Sequence, residues 1–123
     1  AALVSDLKRR GMLDETIVHW GGEMGRLPVI QNDTGATNVG RDHNTNGFSM
    51  WVAGGGFKAG HVHGKTDEFS HQAVDQIVNH YDYHHTLMHL FGLDHQRLTF
   101  EHNGRSRKLI ETDKSQLVTE LIA

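Results

Sequence analysis

Leu3, Val4 and Leu7 fall on one helical face, and Lys8, Arg9 and Arg10 follow where cations suit the negative end of a helix dipole. Gly11 is a fitting stop, so the pattern predicts a first helix ending there. Ile17-Val18-His19-Trp20 is a short, β-rich apolar run after a tight turn. A helix, a turn and a near-continuous apolar strand form half of an α/β unit, and predict a buried, parallel strand. Residues 27–46 read as a long polar loop carrying the only proline, Pro28. Residues 48–53, FSMWVA, read as a second strand closed by Gly54-Gly55-Gly56, and residues 57–79 as loop with little regular structure.

Toward the C-terminus, Asp82 is placed to cap a helix over 83–91, with Leu87, Leu90 and Phe91 on its apolar side and Gly92 as its stop. Residues 98–100 and 107–110 can pair as a hairpin around Asn103-Gly104, a strong turn dipeptide. Ser115 can cap a final helix over 116–122, packing Leu117, Val118, Leu121 and Ile122. The expectation is one α/β domain spanning 1–123.

Composition narrows the function classes. A 123-residue chain supports a single modest core. Its net charge of -3, with lysines and arginines scattered, lacks the basic stripe of a nucleic-acid binder. Without cysteine there is no disulfide, thiolate zinc site or cysteine nucleophile. No apolar run approaches the roughly 20 residues of a membrane span. The opening AALVSDLKRRG lacks the order of a signal peptide, so the chain is expected either to work in the cytosol or to follow a targeting segment lying upstream.

The chemistry concentrates between Gly40 and Glu68, where seven glycines interleave with Asp42, His43, Asn44, His61, His63, Asp67 and Glu68. Imidazole and carboxylate without thiolate is the donor set of hydrolytic zinc, manganese or iron sites. His43 is the first candidate ligand, with Asp42 as a second ligand or as the group orienting it. His61 and His63 can share one side of an extended segment, or lie on a surface loop. Glu23, just past the first strand, stands where ligand chemistry sits in open α/β sheets, or pairs with Arg26 as an ordinary loop carboxylate. Arg26 can fork onto phosphate or sulfate, or remain solvated. His80/His84 and His85/His89 are i, i+4 pairs without an HExxH motif, so a dedicated metal site is not expected there. His84 is expected to point back or cap, and His89 to face solvent or pack. His19 reads as a satisfied core histidine; His71, His95 and His102 read as surface residues. No nucleophile elbow, Walker lysine or dinucleotide fingerprint is present.

The stretches LKRRGMLDETIVHWGGEMGRLPVIQ, GRDHNTNGFSMWVAGGGFKAGHVHGKTDE and HYDYHHTLMHLFGLDHQRLTFEHNGRSRKLI, in that order, resemble the C-terminal part of an uncharacterised bacterial sulfatase-like family within the alkaline phosphatase superfamily. The resemblance implies a partial alkaline-phosphatase/sulfatase-like sheet with flanking helices and a C-terminal hairpin and helix. It implies a parent that hydrolyses sulfate or phosphate esters with a divalent metal, zinc foremost and calcium, manganese or iron as alternatives. Such parents are often exported by a twin-arginine signal.

In that frame Glu23 takes the place of a metal aspartate, Met24 that of its partner histidine, and His43 that of a later histidine ligand. Asp42 and His63 join them as candidate metal donors on their donor chemistry alone. Asp82 and Thr86 match a structural Asp-x-x-x-Thr-Leu segment. The nucleophile and first metal aspartate have no counterpart here, so the chain is expected to be a fragment, a truncation or one piece of an assembly, inactive alone. Oligomerisation, or association with a missing N-terminal half, follows from the exposed sheet edge this leaves. The alternative is a non-catalytic binding or structural module that keeps the sulfatase-like fold.

Overall fold

Helix α1 (Ala2–Arg9) ends at Gly11, whose φ of 70° is the left-handed conformation that closes a helix. The computed structural model describes residues 1–31, 35, 37, 39–111 and 114–123, so residues 32–34, 36 and 38 of the expected 27–46 loop lie outside it. Asp6 pairs with Arg9 and with Arg10, the latter at 2.8 Å, but α1 buries no residue and these exposed pairs add little. A 3₁₀ turn (Leu13–Glu15) then leads into β1 (Val18–Trp20).

Strand β1 pairs with β4 (Trp51–Ala53), placing Val18 opposite Ala53, His19 opposite Val52 and Trp20 opposite Trp51. The pairing is antiparallel, which corrects the expectation of a parallel, buried strand. One face of the ladder turns toward Tyr83 through His19, whereas Trp20 is 74% exposed. A continuous apolar run announces two apolar faces but not whether both are covered. Gly54 ends β4 against the 3₁₀ turn: a Cβ there would lie 2.2 Å from the Leu13 carbonyl oxygen, and its φ is 71°. The Gly54–Gly55–Gly56 run therefore serves chain packing.

The remaining strands are short antiparallel pairs. β2 (Gly25–Arg26) pairs with β3 (His43–Asn44), extended by Leu27 N–H to the Asp42 carbonyl at 2.8 Å and Gln31 N–H to the Gly40 carbonyl at 2.9 Å. The expected polar loop thus returns as a narrow ribbon. β5 (Lys65–Thr66) pairs with β6 (Ala73–Asp75), giving order to part of the segment read as irregular. β7 (Thr99–His102) and β8 (Arg105–Lys108) form the hairpin expected around Asn103-Gly104, where both turn residues take positive φ. The coarse class is mixed α/β, with four two-stranded antiparallel sheets among the described residues. No helix among the described residues is long and apolar enough to cross a membrane.

Helix α2 (His80–Leu90) starts earlier than expected, because Asn79 rather than Asp82 is its N-cap. The Asn79 Oδ1 accepts from Tyr81 and Asp82 N–H, and Asp82 Oδ2 accepts from Asn79 N–H at 3.3 Å, a reciprocal capping box. Its inner face also differs: Asp82, Tyr83, Thr86 and Met88 are buried, whereas Phe91, expected on that face, is exposed.

The inner face is polar because the C-terminal segment docks on it. Asp82 Oδ1 accepts Gln116 N–H at 2.8 Å, and Thr86 Oγ1 accepts Val118 N–H at 3.1 Å while donating to the Asp82 carbonyl at 2.9 Å. Asp82 and Thr86 pin these two amides in a non-helical segment, and the expected helix over 116–122 is reduced to a 3₁₀ turn at Thr119–Leu121. Beyond it, Lys58 N–H bonds to the Leu121 carbonyl at 2.8 Å and Ala123 N–H to the Gly56 carbonyl at 3.0 Å. Phe57, Tyr83, Met88 and Ile110 form the buried apolar core.

His85 lies beside this contact, with its ring 3.8 Å from that of His95 and its Nδ1 3.3 Å from Ser115 Oγ. Burial lowers its pKa, with His95 adding to the effect.

Two outcomes are expected. Asp82→Ala, which strands the Gln116 amide and removes half the capping box, should cost about 2–3 kcal/mol in urea denaturation. The folded state holds His85 neutral more firmly than the unfolded chain does, so the unfolded state binds more protons once pH drops below about 6.5. Stability should be fully present above that value and fall as pH descends through the lowered pKa. His85→Gln should flatten that slope in denaturation midpoints compared at several pH values.

Candidate functional site

Past β1 the chain runs through Gly21 and Gly22 into a bend at Glu23–Met24, beside a groove of about 510 Å³. Trp20 and Phe48 supply its apolar walls, Arg26 its cation, and Ser49, Thr66 and Ser70 its hydroxyls. The glycines beside it let segments meet rather than admit a ligand. A Cβ at Gly25 would sit 2.6 Å from the Phe48 Cβ, and one at Gly47 would sit 2.7 Å from the Ala73 nitrogen.

Pairing of β2 with β3 sets Arg26 directly opposite His43. Arg26 is exposed, and its Nη1 donates to the Arg41 carbonyl at 2.9 Å, which steadies the guanidinium in the groove wall. Asp42 is exposed, and its Oδ1 accepts the His43 N–H at 2.7 Å. Arg26, Asp42 and His43 are therefore brought together by one ribbon. Glu23 stands exposed at the bend between groove-lining Gly22 and Met24, and no ion pair joins it to Arg26 among the described residues. His63 lies beside β5, half-buried, with its ring 5.7 Å from that of His61 and its buried Nδ1 without a hydrogen-bond partner.

The donor types among Glu23, Asp42, His43 and His63 suit a hard or borderline divalent ion. Among the described residues, however, no three histidines, aspartates or glutamates form a group that could hold one. What this chain does form is a groove wall carrying the Arg26 guanidinium, three hydroxyl-bearing residues and an aromatic flank.

Several of the other histidines have structural partners. His19 Nδ1 lies 3.0 Å from the Tyr83 hydroxyl with the rings edge to face, so it is satisfied as expected, although the residue is exposed rather than core. Burial raises the Tyr83 pKa, which keeps the phenol protonated. His84 Nδ1 reaches the His80 carbonyl at 2.6 Å, and His89 faces solvent. His95, expected on the surface, is half-buried against His85.

Asn44 stood among the polar donors of the glycine-rich stretch, but it is 1% exposed and works as a staple. Its Nδ2 donates to the carbonyls of Ser70 at 3.3 Å and His71 at 3.0 Å, and its Oδ1 accepts Asn46 N–H at 3.0 Å. Asp67 shapes the same loop by accepting the N–H groups of Phe69 and His71. These contacts hold Ser70 and Thr66 against the β2–β3 ribbon and so fix the groove. The side-chain bond from Asn44 to the amide two residues on is an Asx turn, the one signal for it in the sequence. Thr66 and Ser70 carried no signal, because only folding brings them to the groove.

A family model described as "Protein of unknown function (DUF1501)" matches residues 1–122. No curated protein and no solved structure matches the chain.

Asn44→Ala removes the donor to two carbonyls and the acceptor of one amide, and should lower stability by about 1–3 kcal/mol in chemical denaturation.

Proposed function

The chain belongs to the DUF1501 family, and on that premise we propose that it forms part of a metal-dependent hydrolase of sulfate or phosphate esters, built as in the alkaline phosphatase superfamily. The observation that carries this is the β2–β3 register, which faces Arg26 toward His43 at the rim of a groove lined with hydroxyls. The resemblance of the GGEMGR and GRDHN stretches to the sulfatase-like family supports the same assignment.

The chemistry performed by this chain's own residues is anion recognition. Arg26 spends one N–H on the Arg41 carbonyl and keeps the rest of its fork for ester oxygens. Ser49, Thr66 and Ser70 can donate hydroxyl hydrogens to the same oxygens. A divalent ion, zinc foremost with calcium, manganese or iron compatible, belongs to this function with Glu23, Asp42, His43 and His63 as the donors on this side. Because no three donors converge among the described residues, they do not by themselves make a metal centre, and no bond-breaking step is assigned to the ion. The nucleophile, too, is supplied from outside these 123 residues.

A second reading is a non-catalytic binding or structural module. Met24 favours it, because a thioether stands at the groove where the resemblance calls for a histidine, and a thioether is a poor ligand for a hard ion.

The metal content of the purified chain, read by mass spectrometry beside a His43→Ala control, separates the two. The hydrolase reading expects bound ion lost with His43; a folded, metal-free wild type leaves the binding module. Calorimetry with inorganic sulfate and phosphate should show Arg26→Ala weakening binding by about tenfold or more, with Arg26→Lys recovering part of the loss. Equal affinity in wild type and Arg26→Ala would remove Arg26 from the site.

A further inference from the structure

We propose that Asn103 is a self-modifying site: in the folded chain it deamidates through attack by the Gly104 amide, ahead of the other Asn-Gly dipeptide, Asn46-Gly47. As sequence the two are equivalent, because glycine leaves the following nitrogen unhindered in both. What separates them is what each peptide group must give up in order to move.

The chemistry needs nothing beyond the chain and water. The Gly104 nitrogen bonds to Asn103 Cγ and the Cγ–Nδ2 bond breaks, the proton from Gly104 leaving with Nδ2 as ammonia. The product is a five-membered succinimide, which water opens at one of two carbonyls. Addition at Cγ gives aspartate. Addition at the backbone carbonyl gives isoaspartate, in which the chain continues through the side-chain carbonyl. Ring closure requires the peptide group after the asparagine to rotate, so the bonds and packing of that group govern the rate.

The Asn103–Gly104 peptide has little to hold it. Two residues join β7 to β8, with His102 paired to Arg105 as the last rung. Among the described residues no hydrogen bond holds the Asn103 carbonyl or the Gly104 N–H. Both residues are exposed, and a Cβ added at Gly104 would meet nothing within 4 Å. Rotation takes Asn103 out of its left-handed φ of 50°, a region that is not a low-energy one for L-residues. Its side chain touches His102 Nε2 at 3.3 Å through Nδ2, the departing nitrogen, rather than through Cγ. Every residue of β7 and β8 is exposed, so no core packing opposes the movement.

The Asn46–Gly47 peptide is fastened. The Asn46 carbonyl accepts Ala73 N–H at 2.8 Å, and Asn46 N–H is held by Oδ1 of buried Asn44 at 3.0 Å. Gly47 lies against the backbone of residues 72 and 73, where a Cβ would sit 2.7 Å from the Ala73 nitrogen. Rotation here breaks a hydrogen bond and meets the start of β6. These contacts should slow Asn46 about tenfold or more relative to Asn103.

The test holds the purified chain in mildly alkaline buffer at body temperature for several weeks, with circular dichroism confirming that it stays folded. A parallel sample is held in concentrated guanidinium chloride. Conversion is followed as a gain of about one mass unit, located by peptide mapping, with isoaspartate counted by enzymatic carboxyl methylation. The folded chain should convert at Asn103 first, about tenfold or more ahead of Asn46. The denatured sample should convert both at similar rates, which makes the fold the source of the difference. Asn103→Gln should remove the early phase and leave the slow one. A folded chain that converts at Asn46 first, or at both sites equally, overturns the proposal. So does one in which neither site converts while the denatured sample reacts at both. A preference for Asn103 that persists unchanged in denaturant also overturns it, because the turn would then play no part.

Discussion

Two side chains one helical turn apart, Asp82 and Thr86, hold the C-terminal segment against α2, and the small core gathers around that contact. Both are almost wholly buried. Their oxygens accept the amides of Gln116 and Val118, from a segment that has left helical geometry. A buried carboxylate is tolerable only with such partners, so helix and tail stabilise each other. The tail then passes residues 56–58, where Phe57 bridges Ile122 and is buried, as Tyr83 and Met88 are. Tyr83 in turn reaches His19 and ties β1 to the helix. One polar contact thus connects the C-terminus, the helix and the ladder that opens onto the groove.

A second polar contact performs the same service for the site. Asn44 sits one residue from His43, and its amide spans to the carbonyls of Ser70 and His71. Without it the β2–β3 ribbon and the β5–β6 hairpin would be two short pairs with little apolar area between them. Two-stranded pairs are marginal in water unless something else covers or ties them. Here polar side chains do the tying, which suits a chain with four buried apolar core residues among those described.

Local signals were legible wherever a single residue type dictates backbone conformation. Gly11 stops α1, and Asn103-Gly104 turns β7 into β8, because positive φ is cheap for those residues. The apolar runs located β1 and β4, though not their direction, since periodicity is blind to which strand lies alongside. The helix near residue 80 was legible, but its cap was not: Asn79 and Asp82 are both good capping residues, and Asp82 proved to be buried. In the site, Arg26, Asp42 and His43 were readable as chemistry, whereas Asn44 looked like one more donor among them.

The amino-acid sequence by itself determined the turns, the approximate place of each longer element and the residue types available for anion and metal chemistry. Those follow from φ preferences, side-chain period and donor chemistry, all local properties. Tertiary structure decided the antiparallel order of the strands, the loss of the last helix to side-chain acceptors on α2, and the assembly of Arg26, Thr66 and Ser70 around one groove. Each of these depends on pairing between segments tens of residues apart, where a buried amide takes whichever acceptor the fold presents.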